Sequence, residues 1–134
     1  MEQKAEKSEL VVIDSSIFVD HLRNYPPSVD FFRSLLSSNK KILFSAITET
    51  ELIAGKSCND QRSRIIVLNM LNGFVKIDVT NQIALRAGDL SRVYNTALPD
   101  SIIAATALIN QAELLTKNIK DFQGIEGLKV RAPY

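Results

Sequence analysis

The sequence predicts an α/β domain built on a mostly parallel sheet that helices cover on both faces. Short apolar runs rich in β-branched residues alternate with segments whose apolar residues recur at helical spacing, and this alternation is typical of βαβ units. The run Leu10–Ile13 is apolar throughout, as in a strand that is buried on both sides. Residues 101–111 are apolar on nearly every side of a helix, so we expect that helix to be buried.

The N-terminal half is predicted to hold two strands, each followed by helical segments. Apolar residues three or four positions apart mark the helices, and two breaks, Tyr25-Pro26-Pro27 and Gly55, interrupt them. The expected order is strand Leu10–Ile13, helix Ser16–Leu22, helix around Val29–Leu36, strand Lys41–Ala46 and helix Thr48–Lys56.

The C-terminal half continues the same alternation. Asn72-Gly73 is a common helix C-terminal signal, and Pro99 stands where a helix can begin. The expected order is helix Arg62–Leu71, strand Val75–Val79, an amphipathic helix through Ile83–Tyr94, helix Ser101–Gln111, strand Glu113–Thr116 and strand Leu128–Arg131.

Length and composition are those of one folded domain. The chain has 134 residues, of which 46% are apolar and 23% charged, so disordered and low-complexity classes are excluded. We expect a single domain over residues 9–134, preceded by a flexible tail over residues 1–8, which are rich in charge.

Charge and cysteine content narrow the class of protein. A net charge of +1 offers no general attraction for nucleic acid, so a polyanion must be bound through local charge or a metal. The single cysteine, Cys58, cannot form an internal disulfide, which is consistent with a reducing compartment. Without a membrane-length apolar run (roughly 18 residues) or a secretion signal, we expect a cytoplasmic protein that makes no membrane contact.

Acidic and amide side chains follow several of the predicted strands. Asp14 comes directly after the first strand, Glu51 lies early in the helix after the second, and Asn118 and Asp121 follow the fourth. Sites in open α/β sheets form outside the carboxyl ends of the strands. Asp100, at the start of the buried helix, joins this group if its helix begins at the same rim. We therefore expect three or four oxygen-bearing side chains in one cleft.

Such a cluster has a specific chemical use. Neighbouring carboxylates repel one another and stay ionised together only around a cation. A site of oxygens without His or Cys suits Mg²⁺ or Mn²⁺, and Mg²⁺ is commonly shared with substrate phosphates. The sequence therefore indicates hydrolysis of a phosphate ester, for which a metal activates water and stabilises the leaving oxygen.

Each acid also has an ordinary structural explanation. Asp14 can cap the helix that follows the first strand, and Thr48-x-x-Glu51 has the spacing of a capping box. Asp100 is favoured in a first helical turn by the macrodipole, and Asp121 can be an exposed loop residue. The functional interpretation depends on the convergence of all four.

Four motifs in this order resemble the PIN-domain ribonucleases, in particular the VapC-type toxins of toxin–antitoxin pairs. The resemblance extends from about Leu10 to Pro133, and although each motif alone is weak, their order along one chain is specific. The motifs are Val12-Ile13-Asp14-Ser15-Ser16-Ile17-Phe18, Ser45-x-x-Thr48-x-x-Glu51-Leu52-x-x-Gly55, Leu98-Pro99-Asp100-Ser101-Ile102-Ile103-Ala104-Ala105-Thr106-Ala107 and Leu115-Thr116-x-Asn118-x-x-Asp121-Phe122.

The resemblance implies a three-layer α/β/α sandwich and a Mg²⁺- or Mn²⁺-dependent endoribonuclease with Asp14, Glu51 and Asp100 as its acidic core. It further implies a homodimer and a cognate antitoxin whose tail enters the acidic groove. Exposed Phe, Ile and Leu residues on the amphipathic helices are expected to supply the dimer surface.

The chain departs from the family pattern at two positions. Asn118 stands where many relatives carry Asp, and it can still supply an oxygen ligand or a hydrogen bond to a metal-bound water. Asp121, one helical turn further on, is the candidate for the missing charge. Ser16 stands where Asn is often seen, and its hydroxyl can orient Asp14 or a phosphate.

The predicted roles follow from this set. Asp14 and Asp100, with Asn118, hold the metal, and Glu51 binds it through water or orients the attacking water, while Asp121 completes the catalytic acids. The residues expected to contact substrate or support the ligands are Ser15, Ser16, Thr116 and Lys117, with Lys120 as a further candidate for backbone phosphates.

Other classes remain as alternatives at this point. A phosphotransferase of the haloacid-dehalogenase type requires a second Asp two residues after the first, where this chain has Ser16. An RNA-processing or non-catalytic RNA-binding PIN domain shares the fold, and adjacency of its gene to a short antitoxin-like frame would distinguish the toxin. His21, the only histidine, is interpreted as a packing or surface residue.

Overall fold

The computed structural model describes residues 9–134, so the predicted tail over residues 1–8 lies outside the described part. The strands are β1 (Leu10–Ile13), β2 (Lys41–Ser45), β3 (Val75–Ile77), β4 (Glu113–Leu115) and β5 (Val130–Arg131). The α-helices are α1 (Ser15–Leu22), α2 (Pro26–Leu36), α3 (Ala46–Ile53), α4 (Gln61–Leu71), α5 (Asn81–Tyr94) and α6 (Leu98–Ile109), with short 3₁₀ segments at Lys56–Asn59 and Ile119–Asp121.

The five strands form one parallel sheet in the order β3-β2-β1-β4-β5. Val12 in the central strand β1 lies opposite Leu43 of β2 and Leu114 of β4. The chain runs outward from β1 through β2 to β3 and then returns to the other side of β1 with β4. The order therefore reverses between β1 and β4, which is the place where α/β sheets bind ligands.

Alternate residues of the strands enter two separate cores, because successive side chains of a strand point to opposite faces. On one face Val12, Leu43 and Leu114 pack with residues of α5 and α6, and on the other Val11, Ile13 and Phe44 pack mainly with residues of α1, α2 and α4. The α/β/α architecture is thus confirmed. The predicted burial of the apolar helix is confirmed as well, since Ser101 and residues 103–107 of α6 are all buried.

Helix starts differ from the predicted ones where a capping group decides them. Pro26 and Pro27 open α2 instead of only interrupting the chain, since proline suits the first turn of a helix. Helix α3 begins at Ala46, two residues before the predicted start, because the Ser45 hydroxyl accepts the Ile47 N–H at 3.1 Å. Strand β3 ends at Ile77, two residues short of the predicted end.

The apolar surface also differs from the predicted one. None of the six phenylalanines is exposed, and Phe18, Phe32 and Phe74 stack within the core on the α1/α2 side of the sheet. The exposed large apolar residues of the helices are aliphatic and include Ile65 and Ile66 on α4 and Leu85 and Val93 on α5. Over residues 9–134, no helix has both the length and the apolar character that crossing a bilayer requires.

Candidate active site

The site lies at the carboxyl ends of β1 and β4, where the order of the sheet reverses. Asp14 directly follows β1, and its backbone N–H donates to the Leu115 carbonyl at 3.0 Å, so the ends of both strands are joined there. Thr116 is the first residue after β4, and α3, which carries Glu51, begins at the end of β2. The fold therefore brings together residues that are about a hundred positions apart in the chain.

Asp14 is buried and held by three donors. Its Oδ1 accepts the Ser15 N–H at 2.9 Å, and its Oδ2 accepts the Ser16 hydroxyl at 3.1 Å and the Thr116 hydroxyl at 2.7 Å. Asp14 is 4% exposed and also serves as the N-cap of α1. Asp14 therefore both caps α1 and belongs to the candidate site. The three donors fix the orientation of its carboxylate.

The Thr116 hydroxyl connects two predicted site residues. It donates to Asp14 and accepts the backbone N–H of Asn118 at 3.0 Å, and the Thr116 side chain is fully buried. Asn118 is exposed at the surface beside this contact, and within residues 9–134 its side chain makes no hydrogen bond. Its amide oxygen is therefore free to serve as a ligand.

Glu51 reaches the same place from α3. The Ser15 hydroxyl donates to Glu51 Oε1 at 3.0 Å, and Ser15 is the neighbour of Asp14 in the chain. Partial burial of its carboxyl group raises the pKa of Glu51, the Ser15 hydrogen bond opposes this, and the charge of Asp14 adds to the rise. The capping-box interpretation of Glu51 is wrong, because Ser45 and not Thr48 caps α3.

Asp100 and Asp121 complete the acidic group. Asp100 lies in the first turn of α6, half-buried, and Asp121 is exposed at the end of the second 3₁₀ segment. Burial raises the pKa of Asp100 to about 6, together with the negative charges of Asp14, Asp121 and Glu51, in that order. The four carboxyl groups are thus near enough to act on one another electrostatically.

The donor set fits a hard divalent cation. All four carboxyl groups and the Asn118 amide offer oxygen, and their mutual repulsion at Asp100 is of the kind that a bound cation relieves. Within residues 9–134, no three Asp, Glu, His or Cys side chains are already gathered at metal-binding distances. Asp14 and Glu51 instead direct their oxygens to hydroxyl groups. Mg²⁺ needs only one or two carboxylates because water and substrate phosphates supply its other ligands.

Neither predicted lysine forms an ion pair with the acidic group within the described residues. Lys117 Nζ pairs with Asp20 Oδ2 at 2.7 Å, and Lys120 is exposed and forms no ion pair in the described part of the chain. Asp20 is buried, and its Oδ2 also accepts the Tyr134 hydroxyl at 2.8 Å. Sequence reasoning did not find this contact, since no local pattern links positions 114 residues apart.

The pKa values of Asp20 and Tyr134 shift in opposite directions. Burial acts to raise the pKa of Asp20, but hydrogen bonds from Lys117 and Tyr134 and the charges of Lys117 and Arg23 outweigh it and leave the pKa below its usual value. The pKa of Tyr134 rises to about 12 through burial and its hydrogen bond to Asp20.

His21 packs against the Phe32 ring with centroids 4.7 Å apart, which agrees with its interpretation as a packing residue.

A cavity of about 490 Å³ opens beside Glu51 between α1, α3 and α4. Its apolar walls include Leu22, Leu52 and Val67, and its polar lining residues include Arg23 and Glu51. This cavity, which we call the Glu51 groove, includes one acid of the site in its wall and has the volume of a ligand cleft.

Comparison with known proteins finds a matching family and similar ribonucleases. A family profile described as PIN domain matches residues 11–128. Ribonuclease VapC19 of Mycobacterium tuberculosis is 33% identical over 117 residues, which cover 83% of this chain and 90% of that protein. Ribonuclease VapC10 of the same species is 32% identical over 127 residues, with 90% and 91% covered.

Solved structures show the same similarity. A toxin–antitoxin complex from Klebsiella pneumoniae contains a chain that is 30% identical, with a TM-score of 0.78, and the alignment covers 92% of this chain and 98% of that one. VapBC2 from Rickettsia felis, bound to a DNA fragment from its promoter, is 25% identical with a TM-score of 0.79 at the same coverage.

Proposed function

Because this chain belongs to the PIN-domain family, we propose that it is an endoribonuclease and the toxin of a toxin–antitoxin pair. The observation that carries the proposal is that Ser15 joins Asp14 to Glu51 at the carboxyl edge of the sheet, with Asp100 and Asp121 near enough to affect one another's charge. The relatives named as ribonucleases cover most of this chain, so the activity is assigned to the domain as a whole.

Each residue contributes a separate part of the chemistry. Asp14 and Asp100, assisted by Asn118, would hold Mg²⁺ or Mn²⁺, which when bound neutralises charge on a phosphodiester and lowers the pKa of water. Glu51 orients the attacking water or accepts its proton, and Asp121 adds negative charge at the exposed side of the site. Ser16 and Thr116 keep Asp14 in place through its Oδ2.

Ser15 has a different task in this arrangement. Its hydroxyl holds Glu51 Oε1, so the carboxylate of α3 is kept beside the acid that follows β1. Ser15, Ser16 and Thr116 were predicted to contact substrate or to support the ligands. Their hydroxyl groups already donate to carboxylates, which favours the supporting role.

The test is cleavage of single-stranded RNA with Mg²⁺ or Mn²⁺ and with a chelator. The natural chain is expected to cleave only with the ion, and Asp14→Asn and Asp100→Asn are each expected to lower the rate by at least about 100-fold. Asp89→Asn is the matched control, because Asp89 is an exposed acid of α5 paired with Arg92. If both site variants fold and cleave like the natural chain, the assignment is wrong.

The proposed partner is a small cognate antitoxin. Three similar structures are described as toxin–antitoxin or VapBC proteins, and the Glu51 groove offers apolar walls beside the acidic group. An antitoxin segment in this groove would block access to Glu51. Co-purification with the product of an adjacent short reading frame, together with loss of RNA cleavage in the complex, is the expected result.

We also propose that the chain forms a homodimer. Leu85 and Val93 on α5 and Leu98 at the start of α6 are 66%, 64% and 63% exposed, and these apolar side chains offer a surface that a second copy can cover. Light scattering is expected to give twice the mass of the chain, and Val93→Lys is expected to shift the mass toward that of the monomer.

A further inference from the structure

A second cavity, of about 370 Å³, lies next to the acidic group and has a different chemistry. Its lining residues are Asp20, Arg23, Asn24, Tyr25, Pro26 and Lys117, and we call it the Tyr25 pocket. We propose that the Tyr25 pocket binds one nucleotide of single-stranded RNA next to the cleaved bond, with Tyr25 stacking on the base and Arg23 and Lys117 contacting phosphates. This inference rests on the proposed ribonuclease function.

Two residues of the Tyr25 pocket, Lys117 and Arg23, link it to the acidic group. Lys117 lies between Thr116, which donates to Asp14, and Asn118, whose backbone N–H reaches the same hydroxyl. Arg23 lines both the Tyr25 pocket and the Glu51 groove. Arg23 and Lys117 are therefore the cations available to an RNA strand that extends from the acidic group into this pocket.

The positive groups of the Tyr25 pocket are arranged around an exposed ring. Lys117 Nζ lies 5.8 Å from the centroid of the Tyr25 ring and is held there by Asp20 at 2.7 Å. The Tyr25 side chain is 46% exposed, and the Tyr134 ring lies 5.9 Å away on a tilted plane. Asp20 thus positions Lys117, while Tyr134 anchors Asp20 through its hydroxyl.

Arg23 gives the Tyr25 pocket a second cation, which shares the single carboxylate of Asp20 with Lys117. It is exposed and makes no ion pair in the described part of the chain, and Lys117 is already paired with Asp20. Two cations and one carboxylate leave the Tyr25 pocket with an excess positive charge beside a strongly negative site. This local positive charge attracts RNA electrostatically, although the net charge of the protein is only +1.

An exposed aromatic ring flanked by cations is the arrangement that binds single-stranded nucleic acid with little sequence preference. Every base has a π-face that stacks on such a ring, and cations track the backbone. An acidic peptide would use the cations but would gain little from stacking on the exposed part of Tyr25. These features favour RNA as the occupant over a protein segment.

The test compares steady-state cleavage of a single-stranded RNA by the full chain with Mg²⁺. Tyr25→Ala is expected to raise KM by roughly 5- to 100-fold, the loss of one stacked base, with kcat within about twofold. Tyr25→Phe keeps the ring and is expected to behave like the natural chain. Arg23→Gln is expected to raise KM and to reduce the slope of log affinity against log salt by about 0.7, since one phosphate contact is lost.

The control is Arg92→Gln, which removes an exposed positive charge that lines neither cavity. Its effect on KM and on the salt slope is expected to be negligible, so that a general loss of charge is separated from loss of the pocket. Circular dichroism confirms that each variant is folded, and fluorescence anisotropy with labelled RNA and no divalent ion measures binding separately from cleavage.

The outcomes separate this inference from the proposed function. Normal KM and RNA affinity for Tyr25→Ala, in a chain that cleaves RNA, overturn the pocket and leave the nuclease intact. If those values are normal but antitoxin binding is weakened, the face belongs to the protein partner and the inference is again overturned. If the natural chain cleaves no RNA, the proposed function fails, and the anisotropy of Tyr25→Ala still decides whether the pocket binds RNA.

Discussion

Thr116 shows at the scale of one residue how the site is held together. Its buried hydroxyl is both a donor to Asp14 and an acceptor from the Asn118 backbone, so a single oxygen links the carboxylate after β1 to the loop after β4. The hydroxyl is too deeply buried for water to replace these contacts, since the Thr116 side chain has no exposed surface.

Thr116→Val is therefore expected to lower both stability and activity. A valine of similar shape removes one of the two donors to Asp14 Oδ2 and leaves the Asn118 N–H without its acceptor, at a cost of about 1–3 kcal/mol in the free energy of unfolding. Thr116→Ser keeps the hydroxyl and is expected to retain most of the cleavage rate. Urea unfolding and RNA cleavage measure the two effects, and equal activity of the valine and serine variants would contradict this role.

Asp20 gives a residue-scale prediction for pH. Its pKa is lower in the folded chain than in the unfolded one, so its contribution to stability is present above pH 4 and is lost as the pH falls through the folded pKa. Asp20→Asn is expected to cost about 1 kcal/mol at pH 7, because the partly exposed Lys117 is screened by water.

The measurement is the urea midpoint of both chains at pH 7 and at pH 2.5. The difference between them is expected to shrink at the lower pH, because the natural carboxyl takes up a proton as the pH falls toward its folded pKa. A difference that stays constant with pH would show that Asp20 contributes through packing and not through its charge.

At the scale of the element, the start of α3 decides where Glu51 points. Ser45 ends β2 and caps α3 at once, so the strand passes into the helix without a loop. Glu51 then falls in the second turn, where Ser15 can reach it. A start at Thr48, as the capping-box spacing suggests, would have placed Glu51 in the first turn with its carboxylate on the helix backbone.

Paired substitutions distinguish the two starts of α3. Ser45→Ala is expected to destabilise the chain by about 1 kcal/mol, since it removes the acceptor for the Ile47 N–H. Thr48→Val is expected to be neutral or stabilising, because the buried Thr48 Oγ1 has no hydrogen-bond partner within residues 9–134. Thermal unfolding gives both values, and the opposite order of stabilities would support the capping box.

At the scale of the whole molecule, repulsion among the gathered carboxylates destabilises the folded chain. The sheet order brings the ends of β1 and β4 together. Burial and the charges of three other carboxyl groups near this point raise the pKa of Asp100 to about 6. Repulsion of this kind is offset when a cation binds the folded chain and not the unfolded one, so ion binding and folding are thermodynamically linked.

Mg²⁺ is accordingly expected to raise the unfolding temperature of the natural chain at pH 7. At an ion concentration of 100 times Kd the stabilisation is about 2.7 kcal/mol. Asp100→Asn is expected to raise stability in a chelator, because it relieves the repulsion, and to lose most of the response to Mg²⁺. An unchanged unfolding temperature at saturating Mg²⁺ and Mn²⁺ would contradict the metal site, and Asp89→Asn serves as the control for the loss of one acid.

Local pattern was sufficient for most of the fold. The β-branched run Leu10–Ile13 became β1 with the predicted bounds, and the apolar residues of 101–111 became the buried helix α6. Both signals come from periodicity and burial within a few residues, which a chain carries without reference to its partners. The placement of Asp14 directly after β1 followed from the same pattern.

Contacts between distant segments could not be read in this way. The choice of Ser45 over Thr48 as the cap of α3 depends on where β2 ends, and that is set by its pairing with β1 and β3. The contact of Asp20 with Tyr134 and Lys117 joins three regions of the chain that no periodicity relates. Periodicity indicates which face of an element is buried. Whether two distant side chains meet depends on how the elements pack, and the packing interactions form only in the folded chain.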